Sequence, residues 1–301
     1  MTFEGILFFP VTPFGGDGGV DEDALAEHIE NGVGAGAGGV FVACGTGEFH
    51  ALSPAEIETC ARVAAAVTAG RVPVFAAAGG PLPVALEQVR RIERAGADGV
   101  LLMPPYLVTG PQRGLLEYVR AVSAATSLRI IFYQRGAAVP TPGTAAEMAA
   151  VPNVVGIKDG VGSIELMQRT VLAVRREAGE GFQFFNGLPT AEMTAQAYRT
   201  IGVPLYSSAV FGFAPEVALR FHRAVGTGDD TTARTLLEEF YEPLVALREE
   251  VSGYPVSLVK AGVRLRGLDV GGVRPPLVDP TPEHLERLDA LIGRGLELVG
   301  R

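Results

Sequence analysis

Lysine is nearly absent from this 301-residue chain: of its 25 lysine and arginine residues, only Lys158 and Lys260 are lysines. The chain also has no tryptophan, only two cysteines and no run of 18 apolar residues. Two cysteines are too few for a disulfide framework and are typical of a reducing compartment. The short apolar runs argue against a membrane span, and the first residues do not resemble a signal peptide. These absences predict a cytoplasmic protein.

Positive charge is also scarce, because the formal net charge is −9. No block of lysine or arginine offers a basic patch, which argues against a nucleic-acid or anionic-membrane partner. The four histidines lie far apart without ligand spacing, so no metal site is expected; they are His28, His50, His222 and His284.

What the chain does have is a regular alternation of short apolar runs with longer amphipathic segments. The eight predicted strands are 5–11, 39–43, 72–77, 99–103, 129–133, 154–158, 182–185 and 205–209. The predicted helices between them include 21–33, 54–68, 83–95, 114–125, 164–176 and 191–201, and Asp21, Ser53 and Ser163 are predicted N-caps. Eight strand–helix units predict an α/β fold, a (β/α)₈ TIM barrel. The alternative is a doubly wound sheet, but residues 13–19 lack the G-x-G-x-x-G spacing expected after its first strand.

The chain after the eighth strand is mostly helical, with predicted helices at 216–225, 231–250, 256–266 and 282–298. Residues 1–215 are predicted to form the barrel core through strand 8. Residues 216–301 are predicted to form the last barrel helix and a C-terminal helical extension. No polar linker separates the two parts, so we expect one structural unit.

The C-terminal ends of barrel strands are where catalytic groups are expected, and Lys158 ends the sixth strand. Burial there should lower the pKa of its amine, and a neutral amine can attack a ketone to form a Schiff base. The alternative is a structural ion pair with a carboxylate such as Asp159. Tyr133 ends the fifth strand, where its phenol could relay protons or simply complete the core.

Other strand ends offer weaker candidates. Gly45 and Thr46 could bind a carboxylate through backbone N–H groups and a hydroxyl. Glu48 is either a catalytic carboxylate or a helix-start residue paired with backbone N–H groups. Cys44 is expected to be a small core thiol, Asp159 to point away from the lysine, and His50 to lie at the surface or the rim.

Several motifs, in order along nearly the whole chain, carry a resemblance to a known family. They are FFPVTPF (8–14), GTGEFHALSPAE (45–56), GADGVLLMPPYL (96–107), IFYQR (131–135), GIKDGVGSIELM (156–167), FNGLPTAE (185–192) and YSSAVFGFAP (206–215). The sequence resembles the class I aldolase-like family of dihydrodipicolinate synthase and N-acetylneuraminate lyase, and most closely its 5-dehydro-4-deoxyglucarate dehydratase branch. The synthase branch would have a threonine pair before Gly-Glu, whereas the first of that pair is Gly45 here.

This resemblance implies a lyase that converts 5-dehydro-4-deoxyglucarate to 2,5-dioxopentanoate with loss of water and carbon dioxide. It implies that Lys158 is the Schiff-base lysine, that Tyr133 is the proton relay and that Gly45 and Thr46 bind the 2-oxo acid carboxylate. No cofactor is needed, the partner is a small-molecule hydroxylated 2-oxo acid, and a homo-oligomer of two or four chains is expected.

A dicarboxylate substrate needs a second anion-binding group, and Arg135 is the candidate, although it could instead be a solvent-exposed rim residue. Neutral substrate-binding candidates are Asn186, Gly187, Thr190 and Ser208. The chain departs from the branch at Gln134 and at 136–138, where we expect the distal half of the substrate. A 2-keto-3-deoxy sugar acid aldolase, a pyruvate-condensing synthase and a non-catalytic 2-oxo acid binding barrel therefore remain alternatives.

Overall fold

The computed structural model describes residues 2–105 and 108–301. Within these residues, eight parallel strands pair in sequence order and close into one barrel, with β1 next to β8. The strands are β1 Leu7–Phe8, β2 Gly39–Val42, β3 Val74–Ala78, β4 Gly99–Leu102, β5 Arg129–Gln134, β6 Val154–Asp159, β7 Gln183–Asn186 and β8 Leu205–Ser208. The predicted (β/α)₈ barrel is confirmed. Met1, Tyr106 and Leu107 lie outside the described residues, including the end of the motif at 96–107.

Helices follow the strands and continue beyond the barrel. They are α1 Glu22–Ala35, α2 Pro54–Thr68, α3 Leu82–Arg94, α4 Gln112–Ser123, α5 Pro142–Ala149, α6 Ile164–Ala178, α7 Ala195–Thr200, α8 Pro215–Thr227, α9 Asp230–Leu236, α10 Glu242–Glu249, α11 Tyr254–Leu265 and α12 Pro282–Leu298. None of the described helices combines the length and apolar character that a bilayer crossing requires.

The predicted N-caps are confirmed for three barrel helices. The side chains of Asp21, Ser53 and Ser163 accept hydrogen bonds from backbone N–H groups in the first turns of α1, α2 and α6. Ser53 and Glu56 form a complete capping box. The sequence therefore determines where these helices begin, and each start directly follows a loop at the C-terminal face of the barrel.

Three helical segments differ from the sequence-based expectation, and the first is the predicted helix 191–201, which is a 3₁₀ turn at Ala191–Thr194 followed by α7. The eight-residue helix α5 was not predicted; it begins at Pro142, and the side chain of Thr141 caps it. The predicted helix 231–250 is interrupted by a π-helical turn at Leu237–Tyr241. Pro243 follows in the first turn of α10 and has no N–H to donate, so the regular α-helical hydrogen bonding cannot pass through it.

The barrel interior is filled by a column of phenylalanine rings. Phe3 contacts the rings of Phe41, Phe75 and Phe185 at centroid distances of 5.2–5.6 Å. Phe9 stacks on Phe41 at 4.6 Å, toward the C-terminal ends of the strands. Glycines make room for these rings, since a Cβ at Gly156 would lie 2.7 Å from the Phe185 ring.

The C-terminal extension is fixed to the barrel by a buried ion pair. Lys260 on α11 donates to Glu48 Oε1 at 2.8 Å, and both side chains are fully buried. The Lys260 ammonium lies 3.9 Å from the centroid of the Phe14 ring, which the Arg274 guanidinium covers at 4.0 Å. The backbone N–H of Arg274 donates to the second Glu48 oxygen at 2.8 Å. The second lysine of the chain is therefore structural.

Loss of the Lys260 ammonium should destabilise the fold strongly. Lys260→Met would leave the Glu48 charge buried without its partner, and we expect the free energy of unfolding in urea to fall by about 3–5 kcal/mol. The double variant Lys260→Met, Glu48→Gln should lose less, because no charge is then buried alone. Arg294→Met, which removes an exposed ion pair with Glu239, is the matched control and should change little. A Lys260→Met protein as stable as this control would contradict the prediction.

Candidate active site

Lys158 and Tyr133 occupy matching positions at the C-terminal ends of neighbouring strands. They pair in the register of β5 and β6, so both side chains lie on the same face of the sheet, and both line the cavity at the mouth of the barrel. The Lys158 Nζ lies 4.3 Å from the centroid of the Phe9 ring and 4.5 Å from that of Tyr133. The side chains are 8% and 4% exposed, respectively. The amine thus lies on top of the aromatic column.

This setting favours the neutral form of Lys158. Burial, and to a smaller extent the charge of Arg135, lowers the pKa of its amine below the usual 10.5. No described carboxylate lies within ion-pair distance of its Nζ. The alternative pairing with Asp159 is wrong, because Asp159 instead accepts hydrogen bonds from Gln134, Val161, Gly162 and Tyr198.

The Tyr133 hydroxyl is placed by contacts on both sides. It donates to the carbonyl of Gly187 at 3.2 Å and accepts from Arg135 Nη1 at 3.1 Å. Two glycines allow this approach. A Cβ at Gly187 would lie 2.7 Å from Lys158 Cε, and one at Gly160 would lie 2.7 Å from the Tyr133 hydroxyl. The glycines of the motifs GIKDG and FNG thus give the lysine and tyrosine their space.

The Gly45–Thr46 turn borders the cavity above Lys158, and hydrogen bonds hold its backbone in place. Thr12 donates to the carbonyl of Gly47 at 2.7 Å, and the N–H of Glu48 donates to the carbonyl of Gly45 at 3.2 Å. The backbone N–H groups of Gly45 and Thr46 donate to no other described residue. They therefore remain available to an anionic ligand.

Glu48 and Cys44 next to this turn do not line the cavity. The carboxylate of Glu48 binds Lys260 and the N–H of Arg274 instead of the backbone N–H groups of a helix start. Neither sequence-based interpretation of Glu48 included this pair. Cys44 is a buried thiol whose pKa is raised to about 12 by burial, as expected for a core cysteine.

Of the four substrate-binding candidates at the ends of β7 and β8, two line the cavity and two do not. Gly187 and Thr190 line the cavity, whereas Asn186 and Ser208 do not. Asn186 donates to the carbonyl of Ala191 and to Thr194, within its own loop. Ser208 donates to Glu192 at 2.5 Å, outside the cavity.

Ser207 lines the cavity where the sequence pointed to Ser208. Side chains alternate along a strand, so an error of one residue reverses the side on which a group lies. The sequence offers two consecutive serines without a sign of which one faces inward. Only the register of β8 with β1 and β7 decides it.

Gln134 and residues 136–138, where the chain departs from the dehydratase branch, do not lie in the cavity, although the sequence predicted them there. Gln134 is buried outside the cavity and donates to Asp159 Oδ1 at 2.7 Å. Residues 136–138 form a tight turn in which Ala138 N–H donates to the carbonyl of Arg135, and none of them lines the cavity. The expectation that they contact the distal half of the substrate is therefore wrong. Arg135 does line the cavity and is exposed at its rim.

The cavity above Lys158 has a volume of about 570 Å³ and extends beyond the barrel to the C-terminal helices. The sequence did not point to several of its lining residues: Phe9, Ser207, Arg248, Tyr254, Val256 and Leu277. His50 also lines it, at an exposed position. Among the described residues no aspartate or glutamate lines the cavity, but Arg135 and Arg248 do. The cavity therefore suits an anion.

No group of three or more histidine, cysteine, aspartate or glutamate side chains in the described part of the chain is arranged to bind a metal ion. The cavity brings together the amine of Lys158 and the phenol of Tyr133, with 4.5 Å between Nζ and the ring centroid, and the imidazole of His50 and the phenol of Tyr254 line it as well. Together with unpaired backbone N–H groups and two guanidinium groups, they can bind an anionic carbonyl compound and form an imine with it.

Comparison with known proteins gives relatives over nearly the whole length. The chain is 57% identical over 296 residues to a Streptomyces coelicolor protein named "Probable 5-dehydro-4-deoxyglucarate dehydratase 1", covering 98% of this chain and 94% of that one. A protein of the same name from Streptomyces avermitilis is 56% identical, with the same coverage. A prophage protein of the dihydrodipicolinic acid synthase family from E. coli K12, solved in complex with pyruvate, is 25% identical with a TM-score of 0.84, covering 96% of this chain and 98% of that one.

The family model described as the dihydrodipicolinate synthetase family matches residues 2–294. Its match spans the barrel and nearly all of the C-terminal extension, and the expected family is confirmed. This protein belongs to the dihydrodipicolinate synthetase family.

Proposed function

We propose that this protein is a lyase that removes water and carbon dioxide from 5-dehydro-4-deoxyglucarate to give 2,5-dioxopentanoate. The observation that carries the proposal is the buried, unpaired amine of Lys158 at a cavity lined by two arginines and, among described residues, no carboxylate. The names of the relatives that are more than half identical to this chain support the choice of substrate.

The first step is imine formation at Lys158. Its neutral amine attacks the 2-oxo carbon of the substrate, and water leaves as the carbinolamine collapses to an iminium. The adjacent carboxylate binds the N–H groups of Gly45 and Thr46, with Thr190 and Ser207 as further hydroxyl donors at the cavity wall. An arginine could not replace the lysine, because a guanidinium does not lose its proton in a protein.

The second step is the loss of the β-hydroxyl group. The iminium acidifies the neighbouring carbon, which loses a proton, and hydroxide leaves the next carbon with a proton as water. Tyr133 is the group that transfers protons in these steps, because its hydroxyl lies beside Gly187 and Arg135 at the cavity wall. A conjugated iminium remains.

The third step is decarboxylation. The electron pair of the bond to the distal carboxylate moves through the conjugated system to the imine nitrogen, and carbon dioxide leaves. Protonation and hydrolysis then release the keto aldehyde and the free Lys158 amine. The sequence-based candidate for binding the distal carboxylate beforehand is Arg135, one of the two arginines, with Arg248, that line the cavity. A cytoplasmic homo-oligomer of two or four chains is part of the same proposal.

Borohydride reduction should trap the substrate or pyruvate on Lys158. The wild-type protein should gain the mass of one reduced adduct, because the neutral amine forms an imine with the 2-oxo group. Lys158→Arg should form no adduct and lose activity by about a thousandfold or more. Lys260 is still present in this variant and should form no adduct, because it is buried in its ion pair with Glu48; it therefore serves as an internal control. An adduct that persists in Lys158→Arg would disprove the assignment.

The rate of adduct formation should depend on pH through the protonation of Lys158. Only the neutral amine attacks, so the rate should rise with pH and reach half its maximum below pH 10.5, the usual pKa of a lysine. Single-turnover trapping of pyruvate across a pH series, compared with the reaction of free lysine, measures this midpoint. A midpoint equal to that of the free amine would contradict a buried nucleophile.

The products distinguish the proposed reaction from the family alternatives. Incubation with 5-dehydro-4-deoxyglucarate should release carbon dioxide and 2,5-dioxopentanoate in equal amounts, because one decarboxylation accompanies each turnover. Carbon dioxide evolution and chromatography of the keto acids measure both. Pyruvate as the product would instead identify an aldolase, and binding without any product would identify a ligand-binding barrel. Lys158→Arg serves as the inactive control.

A further inference from the structure

We propose that Arg248 binds the carboxylate at the end of the substrate remote from the 2-oxo group and thereby determines the preference for dicarboxylates. This role deepens the proposed function and rests on it. Arg248 comes from α10 of the C-terminal extension, not from the barrel, and it lines the same cavity as Lys158.

The contacts of Arg248 hold its guanidinium in place without using all of its donors. Nη1 donates to the carbonyl of Pro189 at 3.0 Å and to the hydroxyl of Thr190 at 2.7 Å, and Nη2 donates to Glu249 at 2.8 Å. A guanidinium has five N–H groups. Two therefore have no acceptor among the described residues, namely the Nε–H and one Nη2–H. A carboxylate can accept hydrogen bonds from these remaining donors.

The charge of Arg248 has no counter-ion inside the cavity. Its side chain is only 15% exposed, whereas that of its ion-pair partner Glu249 is 67% exposed and does not line the cavity. An exposed carboxylate in water neutralises a nearby cation only weakly. A mostly buried guanidinium without a buried anion is costly unless a ligand provides one. The substrate's second carboxylate would provide it.

Arg248 and Arg135 differ in what they contact. Arg135 donates to the hydroxyl of Tyr133 and so lies beside the proton-transferring phenol. Arg248 holds the loop of Pro189 and Thr190, which follows the Gly187 that packs against Lys158. Among the described residues, the hydrogen bonds of Arg248 go to this loop and to Glu249 and not to Lys158 or Tyr133, as expected for a group that binds the distant end of an extended substrate.

The chemistry predicts how such an arginine acts on the kinetics. Its ion pair with the carboxylate is present in the bound substrate and disappears when neutral carbon dioxide forms. An interaction that is made in the ground state and weakens in the transition state contributes to binding more than to the chemical step. Replacement of Arg248 should therefore raise KM much more than it lowers kcat.

Two ligands with the same 2-oxo acid skeleton test the role directly. 2-Oxoadipate ends in a second carboxylate, whereas 2-oxohexanoate ends in a methyl group. The concentration that gives half-maximal borohydride trapping on Lys158 is measured for each. Wild type should prefer 2-oxoadipate, and Arg248→Met should reduce that preference about tenfold or more, since one charge-assisted contact is lost. Arg248→Lys should retain part of the preference, because the charge remains while the paired donors do not.

Matched controls separate binding from support of the loop. Arg294→Met removes an exposed arginine of the extension and Glu249→Gln removes the exposed partner of Arg248; both should leave the preference unchanged. Equal weakening of both ligands in Arg248→Met would overturn the proposal in favour of a purely structural contact. If Arg248→Met does not fold, an unchanged preference in Arg248→Lys would overturn it as well. A wild type that traps neither ligand would instead overturn the Schiff-base function on which the role rests.

Discussion

The aromatic column inside the barrel is the constraint on which the site depends. Phe3, Phe41 and Phe9 fill the space beneath Lys158, and its amine rests against the Phe9 ring. This packing excludes water and any counter-ion below the amine, so burial favours its neutral form. The same rings fill the hydrophobic core, and therefore the stability of the barrel and the reactivity of the lysine arise from one set of contacts.

The two lysines of the chain show how the environment decides the role of a side chain. Both are buried, but Lys260 has the carboxylate of Glu48 at 2.8 Å, and Lys158 has no described carboxylate within ion-pair distance. The first is a charged partner that fixes α11 to the barrel. Burial lowers the pKa of both amines, but Glu48 partly offsets this for Lys260, whereas Lys158 faces a cavity with no carboxylate among its described lining residues. The difference lies in the neighbours that the fold supplies.

The C-terminal extension supports the Gly45–Thr46 turn and forms part of the cavity wall. Through Glu48, Lys260 and Arg274 it supports the turn that presents Gly45 and Thr46. Through α10 and α11 it closes one side of the cavity. The cavity is lined by two arginines in a protein with a net charge of −9. The overall charge is negative, whereas the two guanidinium groups make the cavity locally positive and suited to an anion.

The sequence by itself determined the barrel, the order of its strands, three helix caps and the placement of Lys158 and Tyr133 at strand ends. It could do so because these features follow from local periodicity and from neighbouring positions in the chain. The tertiary structure alone decided that Ser207 and not Ser208 faces inward, that Gln134 lies outside the cavity, and that Glu48 meets a lysine 212 residues away. The position of Arg248 belongs with these. Such contacts depend on strand register and on the packing of distant helices, which no local pattern encodes.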